Sequence, residues 1–299
     1  MLKKLVLITF LISSFTSYAQ VTTNTQDSIW TRGGSFNINF SQVNLSNWAG
    51  GGQSSIALSG LFSVFANRET KYSLWENRLE TALGGIRQED IGEFRKTDDY
   101  FILVSKYGRK INESFLFSGL MDFRTQLAKG FVYSNDPLTN EVIATEVSEF
   151  MAPGYLLLSL GATYKKGDVF TATVSPLTGK STFVLDDSLS AQGAYGVAVG
   201  EKFRFQGGAN LSLSFKKTLM ENVTFSTNAN FFADYQNFMD EVDVNWDALL
   251  LFKINKFLSS SISAQAIYDD DINVTREDGT LGPALQFKTA IQVGLTLSF

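Results

Sequence analysis

The chain has no cysteine and no histidine among its 299 residues, and only four prolines. Without cysteine there are no disulfides, no thiolate nucleophile and no zinc–thiolate site. Without histidine there is no imidazole for a Ser–His or Cys–His centre and no histidine metal site. An outer-membrane phospholipase or an omptin-like protease would need that imidazole. Few prolines beside 24 glycines and 26 phenylalanines favour strands joined by turns. Long apolar runs are also scarce. Leu5 to Ile12 is too short to span a bilayer as a helix, and no helical span follows it. A secreted chain of this kind enters a membrane only as a barrel.

The first residues, MLKKLVLITFLISSFTSYAQ, have a basic start at Lys3 and Lys4, an apolar run, and small residues at Ser17 to Ala19 before Gln20. They read as a secretory signal peptide over 1–19. No cysteine follows to carry a lipid anchor. Without those two lysines the chain keeps 23 basic against 30 acidic residues, a net charge of about −7. That balance argues against nucleic acid as a partner. Residues 20–33 are polar and read as a periplasmic leader, with the barrel over 34–299.

The clearest strand is the last, LQFKTAIQVGLTLSF from Leu285 to Phe299. Leu285, Phe287, Thr289, Ile291, Val293, Leu295, Leu297 and Phe299 share one phase, almost wholly apolar; Gln286, Lys288, Ala290, Gln292, Gly294, Thr296 and Ser298 share the other, mostly polar or small. An apolar outside with a polar inside is the transmembrane-barrel pattern, and fifteen residues suffice for a tilted crossing. For this segment alone a soluble sandwich edge is the other reading. The same two-phase alternation recurs near 36–41, 56–64, 72–83, 115–126, 156–164, 170–174, 209–216, 223–234, 244–254 and 258–268. A segment at 100–108 alternates less cleanly, and its faces stay unassigned. The expected fold is therefore all-β, a transmembrane antiparallel barrel of about 12 strands. Short connections near 68, 112, 166, 218 and 256 interleave with long ones at 43–53, 84–99, 128–150, 176–202, 235–241 and 269–283, the rhythm of periplasmic turns and outer loops. An even count puts both chain ends on the periplasmic side.

Charges take the phase opposite the aliphatic residues: Glu76, Arg78, Glu80, Asp122, Arg124, Asp243, Asp247, Lys253 and Lys288. Charge is costly on a lipid face, so these nine are expected to line the lumen. They carry both signs. A lumen packed shut and a narrow charged channel are both compatible with them.

Other candidates are weaker. Asp269-Asp270-Asp271 with Asp278, and the pairs Asp98-Asp99 and Asp186-Asp187, offer weak divalent-cation binding at outer loops, but their spacing matches no calcium loop. The Gly50-Gly51-Gly52 run beside Trp48 lacks the lysine and serine of a phosphate loop and reads as a tight corner. The excursion at 176–202 holds an apolar patch around Val197 and Val199, a candidate to fold inward. No catalytic, cofactor or metal site is expected.

Several segments resemble a family of the Bacteroidetes catalogued as a domain of unknown function, number 3078 in that series. They are FSQVNLSNWAGGGQ (40–53), LWEN (74–77), RKTDD (95–99), SKYG (105–108), YLLLSLG (155–161), SPLTGKSTFV (175–184), DVNW (243–246), INKF (254–257), YDDDI (268–272) and GPALQFK (282–288). The resemblance implies the outer membrane of a Gram-negative cell and contact with its lipid. It supplies no activity and no site residues. Three readings follow: a narrow channel or passive transport barrel, an accessory barrel docking to other envelope proteins with its lumen closed, and, more remotely, a barrel hydrolase.

Overall fold

A computed structural model describes residues 29–44, 54–88, 94–136, 138–139, 141–236, 242–276 and 280–299. The expected signal peptide, most of the leader, the Trp48–Gly52 corner and Asp278 lie outside these residues.

Twelve strands form the barrel: β1 (Trp30–Val43), β2 (Ser55–Glu69), β3 (Ser73–Gln88), β4 (Phe94–Lys110), β5 (Phe115–Thr125), β8 (Gly154–Lys166), β9 (Phe170–Phe183), β10 (Phe203–Met220), β11 (Val223–Asp234), β12 (Val242–Lys253), β13 (Leu258–Tyr268) and β16 (Gln286–Ser298). Between them lie two outer hairpins, β6 (Gly130–Asn135) with β7 (Val142–Ser148) and β14 (Asn273–Thr275) with β15 (Leu281–Pro283). Each barrel strand pairs antiparallel with its neighbours, and β1 closes on β16 through Ser35↔Ser298 to Asn39↔Gly294. Closure leaves no open edge, which a strand protein needs in lipid.

Residues opposite one another in an antiparallel pair share a face, so the register carries one side of the wall around the ring. The even-numbered positions of β1 and the odd ones of β16 point out, and Phe36, Phe40, Ile291 and Leu295 are exposed there. This is the apolar wall that lipid covers, as in outer-membrane barrels. Outward aromatics gather at the short-turn end: Trp30 against Trp75, Tyr164 between Phe115 and Phe170, and Phe215 against Phe225. Phe183 and Phe203 pair at the long-loop end. Two such girdles mark the interfaces of a membrane barrel.

Twelve barrel strands fall where alternation puts them, but several run further. β1 starts at Trp30, so the last residues of the expected leader belong to the wall. β3 reaches Gln88 and β4 begins at Phe94, taking most of the expected 84–99 loop. Beyond the membrane both faces of a strand meet water, so alternation lapses while backbone pairing continues. The 128–150 stretch holds the β6–β7 hairpin rather than irregular chain. β9 was expected to stop at Val174 and runs to Phe183. Register shifts against β8 and β10 bracket Ser175 to Leu177, marking a bulge. Pro176 has no N–H to give a ladder and fits such a break.

The 184–202 segment folds over the outer mouth on the β8–β10 side. Ala152, Val184, Leu189 and Val197 make a small dry cluster there with Ala194 and Tyr195 against it. Val197 packs inward as the sequence suggests, whereas Val199 is 78% exposed. Within the segment lies α1 (Asp187–Ala191), capped by the Asp186 side chain accepting from the Leu189 N–H.

Candidate functional site: the lumen and its charges

Where an inward side chain meets one two or more strands away, the contact crosses the barrel interior. Near the short turns Glu76 on β3 accepts from Lys106 on β4 at 2.8 Å and from Lys165 on β8 at 3.1 Å. Higher up, Arg124 binds Asp122 through two hydrogen bonds of 2.9 and 2.8 Å, and Arg78 lies 3.5 Å from Glu80. On the other side of the ring, Asn228 on β11 donates to Asp247 on β12 at 2.9 Å. At the outer mouth Lys180 on β9 lies 2.6 Å from Asp243 and 3.2 Å from Asp269. Lys288 on β16 reaches Asp98 on β4 at 2.6 Å, and Arg204 meets Asp271 at 2.5 Å.

Of the nine charges singled out from sequence, Glu76, Arg78, Glu80, Asp122, Arg124, Asp243, Asp247 and Lys288 sit on the inward register of their strands. Lys253 shares that register but ends β12 at the exposed short-turn rim. Sequence reading missed their partners. Lys106 lay in the strand whose faces alternation did not assign, because Ile102 and Val104 also point inward, opposite Glu80 and Arg78. Lys180 was hidden by the bulge, which resets the phase. Lys165 was legible: it continues the phase of Thr163, one turn-side step further along β8.

Burial divides the lumen unevenly. Thr163 on β8, Thr173, Ser175, Thr178 and Thr182 on β9, and Asn210 on β10 are buried, and Thr163 and Thr173 share a hydroxyl hydrogen bond of 2.8 Å. Among the described residues no inward side chain of β1, β2, β12, β13 or β16 is buried. One arc of the interior is thus closely packed, while the inward side chains of the facing arc keep part of their surface exposed. A separate groove of about 680 Å³ lies on the outside, lined by outward residues such as Tyr107, Met121, Leu158 and Phe205 and by Gly207. Lipid covers that face, so it is no part of the lumen.

The acids weighed as cation ligands are mostly engaged elsewhere. Asp98, Asp269 and Asp271 hold the ion pairs above, and Asp99 pairs with Lys96 at 2.7 Å while accepting from the Leu127 and Ala128 N–H groups. Lys202 holds the Asp187 carboxyl below the usual carboxylate range. Asp186, Glu146 and Glu149 bring carboxylate oxygens within 4.8 Å of one another on the outer loops. Lys129 already pairs with both glutamates there, and its bond to Glu146 raises the lysine above its ordinary range. Burial pushes the Tyr195 phenol up to about 12, and its hydroxyl donates to the Val147 carbonyl.

The family model described as "Protein of unknown function (DUF3078)" matches residues 40–131, a stretch that holds four of the segments quoted above. Comparison with curated proteins finds no match. Among solved structures, an outer-membrane channel from Pseudomonas putida F1 is 11% identical, covering 90% of this chain and 95% of that one, with a TM-score of 0.40. The translocator domain of the autotransporter NalP from Neisseria meningitidis is 10% identical over 92% of this chain and 90% of that one, at 0.37. OmpT, an outer-membrane protein of Vibrio cholerae, is 7% identical over 92% and 99%, at 0.33. Scores this low carry no argument about activity. The fold rests on the closed ring of strands itself.

Proposed function

We propose that this outer-membrane barrel is a narrow passive channel whose aqueous path follows the β12–β13–β16–β1–β2 arc. The observation that supports the reading is the uneven burial: the inward side chains of this arc keep part of their surface exposed, while Thr163 on β8 and Thr173, Ser175, Thr178 and Thr182 on β9 are buried. Near the short turns Glu76 and its two lysines link β3, β4 and β8 beside the path, and at the outer mouth Lys288 and Asp98 bridge β16 to β4 across it. On this reading the barrel is not an enzyme. Most of its described inward carboxylates serve as ion-pair partners, and Asp247 and Asp234 accept from amides, so they are taken as structural rather than as an acid–base pair for a glycan. The protein would reach its membrane by a signal peptide cleaved before Gln20.

Refolded protein in a planar bilayer tests this. Steady single-channel steps support the channel; silence in repeated insertions rejects it. The accessory reading has one observation in its favour. The β6–β7 hairpin exposes Val132, Leu138, Val142 and Ile143 above the wall. Silent bilayers together with a stoichiometric envelope protein co-purifying through that hairpin would favour it.

A further inference from the structure

We infer that the solutes admitted are small, uncharged and polyhydroxylated, rather than ions. This deepens the channel reading and rests on it. Ion-selective lumens carry rings of one sign, Asp and Glu for cations or Lys and Arg for anions. Here most of the inward charges are set against opposite charges, while Asp247 and Asp234 accept from the Asn228 and Gln206 amides. Lys288 meets Asp98, Glu76 meets Lys106 and Lys165, Arg124 meets Asp122, and Lys180 meets Asp243 and Asp269. Paired in this way, they leave little net field along the path.

Apart from Asp243 and Asp247 on β12 and Lys288 on β16, the inward wall of this arc carries neutral donors and acceptors. On β13 and β16, Ser261 faces Gln292 and Ser259 bonds Thr296. On β1, Asn37 accepts from Thr296, and Asn39 donates to Ser59 on β2 at 3.3 Å. Hydroxyls and amides each both donate and accept. A sugar-like or glycerol-like solute can exchange its water hydrogen bonds for these one by one, with no charge to desolvate. A bare ion gains no counter-charge from such a wall and would still have to shed hydration.

The test uses the full-length barrel reconstituted two ways. In liposomes, osmotic swelling is followed with glycerol, arabinose and sucrose as probes. In planar bilayers, the reversal potential is read across a KCl gradient. The expected result is glycerol- and arabinose-driven swelling about tenfold above empty vesicles, with a reversal potential near zero because no ring of one sign lines the path. Ser261→Asp is then expected to move the reversal potential toward cation selectivity while swelling persists. Ser261→Trp is expected to slow swelling although the barrel still shifts with heat on a denaturing gel. Conductance with strong selectivity for one sign and no polyol swelling overturns the inference but leaves the channel standing. Neither conductance nor swelling, from protein that is folded by the gel shift, removes the channel itself.

Discussion

Glu76 and Lys165 are 3.1 Å apart although β4 and β5 separate their strands in the wall. Lys106 approaches the same carboxylate at 2.8 Å. One acid therefore ties two lysines across the inner floor of the barrel. All three side chains keep only a fifth to a quarter of their surface in water.

Glu76→Gln removes the charge that Lys106 and Lys165 share, leaving Lys165 only the exposed Asp168 at 3.8 Å. Loss of one partner from a partly buried, charge-assisted contact costs roughly 1–3 kcal/mol. The urea midpoint for loss of the heat-modifiable gel band is expected to fall. Lys165→Met, which removes one of the two lysines and keeps the other pair, is expected to cost less. An unchanged midpoint for Glu76→Gln would show that the floor contact is not structural.

Ile291 and Gln292 are adjacent residues near the middle of β16 on opposite faces, and Ile291 is 79% exposed on the outside. Arginine on a lipid face costs roughly 2–4 kcal/mol at the bilayer midplane. Ile291→Arg is expected to lower the yield of barrel inserted into vesicles sharply. Gln292→Arg, which places the same charge toward water, is expected to insert like the parent. Equal yields would contradict the assignment of faces.

Single cysteines are chemically unique in this chain, which has none of its own. Ser261→Cys on the water-reached arc is expected to react with a membrane-impermeant maleimide added to barrels in vesicles. Thr173→Cys, at a position only 2% exposed in the packed arc, is expected to stay unlabelled until the barrel is unfolded. Mass spectrometry reads both. Equal labelling would mean that the interior is not divided.

Tyr195 packs in the outer-mouth cap and its phenol is pushed up to about 12 by burial. Burial favours the neutral form, so the group supports the cap fully below the ordinary phenol value of about 10. That support is lost as pH rises through the folded-state value. The phenolate absorbance difference between the parent and Tyr195→Phe is expected to titrate near pH 12. A midpoint near 10 would place this ring in water.

Much of this architecture is written locally. Phe225, Thr227, Ala229 and Phe231 against Ser226, Asn228 and Asn230 specify a wall segment with no reference to the rest of the chain. Alternation failed where its physical cause failed. Arg87 and Lys96 stand in strands beyond the membrane, where both faces are wet. Ile102 and Val104 face a lumen that tolerates aliphatic side chains beside Glu80 and Arg78. After Ser175 and Pro176 one extra residue reverses the phase, and the inward Lys180 looked like part of a loop.

Period-two polarity is a property of neighbouring residues, so the chain by itself pointed to a membrane barrel of about twelve strands and to a set of charges turned from lipid, without Lys106, Lys165 or Lys180. Which charges meet could not be read that way. Lys288 and Asp98 are 190 residues apart, and their contact depends on how the sheet curves and closes. The same curvature packs Thr163 against Thr173 on one arc and leaves Ser261 and Gln292 to water on the other, so the division of the lumen belongs to the tertiary structure alone.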